Sequence, residues 1–138
     1  VEDESGKSVD VEIWDFAGQQ AYDESTKWHL GLKKFDAVIV GYDITNESSF
    51  DTAENWVSYL QSAAFASVKK DPFIMLVGCK ADLEEKRDVP VARVAAFAEQ
   101  HGFLHMLASA RTGHIVDEVF TAATTGGVLA RNRVEAQS

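Results

Sequence analysis

Phe73-Ile74-Met75-Leu76-Val77-Gly78-Cys79-Lys80-Ala81-Asp82 is the stretch that decides the fold of this chain. Its first six residues form a continuous apolar run, entered through Pro72. A run that is apolar at every position, not every second one, suits a strand covered on both faces of a parallel sheet. Lys80 and Asp82 follow at once. That places two charged side chains at a strand's carboxyl end, where open α/β sheets bind their ligands.

The same pattern appears on either side. Residues 37–42, Ala-Val-Ile-Val-Gly-Tyr, are a second apolar run, and residues 103–108 a third, shorter one. Helical spacing separates them. Residues 49–67 carry Phe50, Ala53, Trp56, Val57, Leu60 and Ala64, and residues 91–100 carry Val91, Val94, Ala95 and Ala98 before a stop at Gly102. Residues 116–130 read as a closing helix weakened by Gly126-Gly127, and residues 131–138 as a polar tail. Upstream, Val9, Val11 and Ile13 alternate with Asp10 and Glu12, the period of a half-buried strand across residues 9–14. Residues 4–7, with Gly6, read as a hairpin turn before it. Residues 20–34 are mixed and polar, a loop with a helical portion. Strand and helix thus alternate, which predicts an α/β domain with a mostly parallel sheet flanked by helices.

Composition narrows the function classes. The 138 residues suffice for one domain, and 22 acidic against 13 basic residues give a net charge of −9. That balance disfavours nucleic acid and anionic membrane as nonspecific partners. The lone Cys79 excludes an internal disulfide and a cysteine-rich zinc site. No apolar run reaches the roughly 18 residues of a membrane span. The C-terminal residues 135–138 hold no cysteine for prenylation, so no direct membrane anchor is expected in this chain.

Three motifs carry chemistry, each expected at a strand end. The Asp82 carboxylate suits the N1–H and 2-amino edge of guanine, a donor pair that adenine lacks. Bonds to a charged group are worth about 1.5–3 kcal/mol each. The Lys80 stem can lie along a purine face. Ser109-Ala110-Arg111 follows the third run, 27 residues after Asp82, and offers the Ala110 N–H to guanine O6. Asp15-Phe16-Ala17-Gly18-Gln19 follows the alternating run. Asp15 can reach Mg²⁺ through water, and Gly18 lets a backbone N–H approach a terminal phosphate. His29, His101, His105 and His114 lack metal-ligand spacing and read as surface or loop residues; Trp14, Trp28 and Trp56 read as packing.

Taken together, the chain resembles a small GTPase of the Ras superfamily, of Rab type. The resemblance rests on Ile13-Trp14-Asp15-Phe16-Ala17-Gly18-Gln19, Tyr42-Asp43-Ile44-Thr45-Asn46-Glu47-Ser48-Ser49-Phe50, Asn55-Trp56, Leu76 to Leu83 and Ser109-Ala110-Arg111-Thr112-Gly113. The Gly102-Phe103 and Thr112-Gly113 context resembles a divergent branch linked to ciliary traffic. The resemblance implies GTP or GDP with Mg²⁺ as cofactors. It places Asp15 and Gly18 in the Mg²⁺ and γ-phosphate loop and makes Gln19 the catalytic, water-positioning residue. Cys79, Lys80, Asp82, Ser109, Ala110 and Arg111 would surround the base. Residues from Gln19 to Lys34 would form the second switch, read by effector and regulator proteins. A cytoplasmic protein, peripheral to membranes through partners, is the implied setting.

Departures from the family set further expectations. The phosphate-binding Gly-x-x-x-x-Gly-Lys-Ser/Thr is absent from the 138 residues. Gly6-Lys7-Ser8 imitates its end, but Val1 stands where glycine is required, and a strand-like run follows where a helix should open. Residues 1–130 therefore read as a partial domain lacking the first strand, phosphate loop and first switch. Such a chain is expected not to bind or hydrolyse GTP normally. Cys79 stands where the family has Asn, and a thiol is a weak donor. A nucleotide-free interaction module is the alternative, and a Roc-type domain of a larger protein a third reading.

Overall fold

The structure, a computed structural model, describes residues 2, 5–13, 35–62 and 72–137, with 134–137 as backbone alone. Among these residues three strands form one sheet: β1 (Ala37–Asp43), β2 (Phe73–Cys79) and β3 (Leu104–Leu107). They lie in the order β1-β2-β3, all parallel. Helices α1 (Glu47–Leu60), α2 (Val91–His101) and α3 (Val116–Gln137) alternate with them, and a 3-10 helix, Ala81–Lys86, follows β2. This is the expected α/β class.

The register explains why β2 is apolar throughout. Ala37 pairs with Phe73 and Asp43 with Cys79, so residues of like parity share a face. Ile74 and Leu76 look toward α1 and α2, with Val40, Tyr42, Phe50, Val57 and Val94. Met75 and Val77 look toward α3, with Val119 and Ala123. A central strand buried on both sides needs no polar alternate residues. Phe50 and Ile44, both 0% exposed, are among the largest fully buried side chains. Each such side chain contributes about 1.5–3 kcal/mol of burial.

Local signals set the helix ends. Asn46 caps α1, its side chain accepting from the Ser48 N–H at 3.0 Å. Glu47 adds negative charge in the first turn, where the helix dipole favours it. Gly102 ends α2 at φ 69°, the left-handed conformation that closes a helix, and its N–H returns to Ala98 and Glu99. Arg93 of α2 fastens that helix to α1 by binding Glu54 and Asp51, both at 2.6 Å, and lies 4.8 Å from the Phe50 ring centre.

Gly126-Gly127 does not interrupt α3, which continues to Gln137 through residues set apart as a polar tail in the sequence. The glycines serve packing. A Cβ at Gly126 would lie 2.3 Å from the Phe73 ring, and one at Gly127 3.3 Å from the Ala37 Cβ. The helix can therefore rest directly on the sheet. Arg131 holds the same end, donating to Asp36 at 2.7 Å. Gly126→Ala should gain about 1 kcal/mol of helix propensity. It should lose about 1–3 kcal/mol to overpacking. A net loss near 1 kcal/mol in chemical denaturation is the expected result.

At the N-terminus a bridge between Glu2 and Ser8 and a φ of 78° at Gly6 agree with the hairpin turn. The strand expected at residues 9–14 is not formed over 9–13, and Val11 and Ile13 are 47% and 67% exposed. Alternation supplies an apolar face but no partner. A strand also needs a neighbouring edge to pair with, and the spacing of apolar residues does not specify one.

Candidate functional site

The carboxyl ends of all three strands converge. β1 delivers Asp43, β2 delivers Cys79 and Lys80, and the turn after β3 delivers Ala108 and Ser109. Backbone bonds lock the loops together: Ala81 N–H to Ala108 C=O at 3.1 Å and Ala108 N–H to Gly78 C=O at 2.8 Å. Two of the three expected motifs thus meet at one edge. Asp15, Gly18 and Gln19, and the segment Gln19 to Lys34 expected to form the second switch, lie outside the described residues.

Ser109 and Asp82 form the centre. Ser109 is 1% exposed and its Oγ donates to Asp82 Oδ1 at 2.7 Å. The same Oγ accepts from the Thr112 N–H at 3.2 Å, and the Ser109 N–H donates to the His114 carbonyl at 3.1 Å. Among the described residues Asp82 Oδ2 receives no hydrogen bond, and the Ala110 N–H, on an exposed residue, finds no acceptor. One edge therefore presents a fixed acceptor and a nearby donor. Arg111 is exposed beside them.

Lys80 occupies the other side. Its backbone is left-handed, at φ 63° and ψ 39°. Its Nζ meets Asp43 Oδ2 at 2.7 Å. Asp43 Oδ1 accepts from the Thr45 N–H at 2.8 Å and the Thr45 hydroxyl at 2.6 Å. Burial works to raise the Asp43 pKa, but bonds from Lys80 and Thr45 outweigh it and hold the carboxyl below its usual range. The hydrogen bond and charge of Asp43 raise Lys80 in turn. Among the described residues Ile115, at φ 63°, is the other non-glycine residue in the left-handed region. Both strained residues flank the site, a placement common for residues held by function. Sequence reasoning treated Asp43 only as part of a familiar phrase. The signal was available, since Asp43 ends an apolar run of the same length as the one ending at Cys79.

Cys79 is an exposed residue whose thiol donates weakly to its own strand, to the Val77 carbonyl at 3.9 Å. Burial around the sulfur, then the Asp43 charge, pushes the thiol up, away from a reactive thiolate. The described residues hold no cluster of three His, Cys, Asp or Glu side chains fit for a metal.

His105 corrects an expectation. It is not a surface or loop residue but lies half-buried on β3, where Nε2 pairs with the Tyr42 hydroxyl at 2.7 Å across Gly78. A polar atom at this depth needs such a partner. Burial, then the Arg87 charge, lowers the His105 pKa from its ordinary 6.5. Burial pushes Tyr42 up to about 12. A histidine depressed in the fold binds fewer protons than in the unfolded chain. Its contribution is thus present above the unfolded pKa and lost as pH falls through the folded one. Denaturation midpoints should fall on acidification below about pH 6.5, and His105→Gln should flatten that dependence.

Comparison with known proteins agrees with this geometry. A family model described as the Ras family matches residues 2–126. Ras-related protein RAB1BV of Beta vulgaris is 38% identical over 117 residues, covering 83% of this chain and 51% of that protein. Ras-related protein Rab-4 of Dictyostelium discoideum is 38% identical over 125 residues, covering 90% and 58%. Ras-related protein RABE1e of Arabidopsis thaliana is 37% identical over 117 residues, covering 83% and 50%. The chain therefore spans about half the length of the curated relatives it matches. With the parallel sheet and its two loops in place, these matches show that the chain belongs to the Ras family of small GTPases and is Rab-like.

Proposed function

We propose that the loops after β2 and β3 hold the guanine base of GTP or GDP in a Rab-type switch. The observation that carries this reading is the Ser109–Asp82 bond at 2.7 Å, which fixes one carboxylate oxygen, while Oδ2 receives no hydrogen bond among the described residues. Asp82 would accept from the guanine N1–H and 2-amino group. The Ala110 N–H would donate to O6, and the Lys80 stem would cover the ring face. Cys79 and Arg111 would border the base. A fixed carboxylate and one N–H match guanine and mismatch adenine, whose 6-amino group would confront the Ala110 donor.

The phosphate side rests on the family resemblance alone. Asp15, through water, and Gly18 would hold Mg²⁺ and the terminal phosphate, and Gln19 would position water. When bound, Mg²⁺ neutralises charge developing on the phosphates. Hydrolysis, traffic between membranes, a ciliary setting, peripheral attachment through partners and effector binding through Gln19 to Lys34 belong to the same proposal. Among the described residues no helix is long and apolar enough to cross a membrane.

Without the Gly-x-x-x-x-Gly-Lys-Ser/Thr loop, the 138 residues should hold the base far better than the phosphates. The test is displacement of fluorescent GDP from the purified chain, with circular dichroism on the same sample. Weak binding, displaced by guanosine and not by adenosine, is expected. A second reading, a GTPase-derived interaction module, is favoured by the Cys79 thiol, which bonds within its own strand. A folded chain indifferent to both nucleosides would establish that reading instead.

A further inference from the structure

We infer that Asp43 is a positioning residue of the base site, acting through Lys80; the inference rests on the guanine reading above. The register sets Asp43 directly beside Cys79, so Lys80, one residue further, reaches sideways from β2 to β1. Its Nζ is tethered at 2.7 Å, although the Lys80 side chain is 57% exposed. Exposed lysines ordinarily sample many rotamers, because the ion pair must hold two long chains in one geometry. Here only one partner is long. The other is a short carboxylate already fixed by two bonds from Thr45, at 2.8 and 2.6 Å.

The Asp43 backbone is fixed as well. Its N–H donates to Ser49 Oγ at 2.9 Å, and that hydroxyl donates to the Asn46 carbonyl at 2.6 Å in the first turn of α1. The anchor is therefore built before any ligand arrives. It holds the Lys80 stem on the β1 side of the loop, while Asp82 and Ser109 stand on the β3 side. A planar base bonded at its edge by Asp82 would meet that stem with its face. Ordering the stem in advance removes part of the entropy lost on binding. The left-handed backbone of Lys80 has the same consequence, since it directs the side chain back toward β1 and not along the 3-10 helix.

Asp43→Asn keeps an oxygen for Thr45 and removes the charge that holds Lys80. Two measurements on the full chain test the inference. The first needs no ligand: competitive acetylation of the Lys80 amine, read by mass spectrometry. The Lys80 amine should react several-fold faster in Asp43→Asn than in the parent, and Asp43→Glu should restore part of the protection. Equal rates would overturn the inference.

The second is guanosine affinity in a double-mutant cycle with Lys80→Met, which keeps an apolar stem that Asp43 cannot hold. Asp43→Asn should weaken guanosine binding about three- to tenfold in the parent and not at all in Lys80→Met. Additive losses would mean that Asp43 merely supports the fold, and the inference falls. Guanosine binding unchanged by Asp43→Asn defeats this inference alone. No guanosine binding, or binding insensitive to Asp82→Asn, defeats the guanine reading and this inference with it. Lys80→Met probes the pair from its exposed end should Asp43→Asn fail to fold.

Discussion

Gly78→Ala should destabilise the fold by about 2–3 kcal/mol, enough to lower Tm by roughly 5–10 °C. A methyl group at this position would lie 2.6 Å from Leu107 Cδ2, 2.8 Å from the Tyr42 hydroxyl and 3.0 Å from Tyr42 Cζ. Leu107 can yield, being the far end of a flexible chain. Tyr42 cannot yield without loss. It is 3% exposed, packs edge-on against Phe50 at 5.0 Å and spends its hydroxyl on His105. Overpacking a site of this kind costs about 1–3 kcal/mol. Losing the buried hydrogen bond adds about 1 kcal/mol. Replacing glycine in a strand returns about 0.5–1 kcal/mol of backbone entropy. The sum stays unfavourable. Urea denaturation of Gly78→Ala beside the parent checks it, and Tyr42→Phe in the alanine background should recover part of the loss by removing the clashing oxygen.

The second large effect is on ligand choice. Asp82→Asn should weaken guanosine binding about tenfold to a hundredfold, the weight of one bond to a charged acceptor at about 1.5–3 kcal/mol. An amide keeps one oxygen, which continues to accept from Ser109, and turns the other position into an N–H donor. That donor confronts the 2-amino group of guanine. It matches the 2-carbonyl of xanthine, so xanthosine should become the preferred nucleoside. Melting temperatures should stay within about 1–2 °C of the parent, because Asp82 contributes no packing to either core cluster. Isothermal titration with the two nucleosides reads the inversion. Loss of all binding without inversion would place Asp82 in the fold of the loop and not against a base.

The fold was legible wherever burial was unambiguous. The run ending at Gly78 became β2 because both faces of a central strand must be apolar, and the stop at Gly102 became a left-handed cap. The alternation at Val9, Val11 and Ile13 misled, because periodicity reports a face and is silent about its partner. Gly126-Gly127 was read for its helix propensity. Its role is close approach to Phe73 and Ala37, a tertiary property that no local pattern encodes.

The site divides the same way. Lys80, Asp82, Ser109 and Ala110 stood out in the sequence because they follow strand ends, where ligands collect, and the structure brings them to one edge of the sheet. Asp43 and His105 were missed as individuals. Asp43 gains meaning from a register that pairs it with Cys79, and His105 from a partner 63 residues away in sequence. Both depend on which strands become neighbours, and a single sequence leaves that pairing open.

One measurement bears most directly on the base site: titration of the ¹⁵N-labelled chain with guanosine and, separately, adenosine, followed through the amides of Lys80, Asp82 and Ala110. Guanosine should shift these three in a saturable manner, Ala110 most strongly as its N–H gains an acceptor, and adenosine should leave them in place. Equal shifts with both nucleosides, or shifts confined to other strands, would contradict the assignment of these loops to guanine.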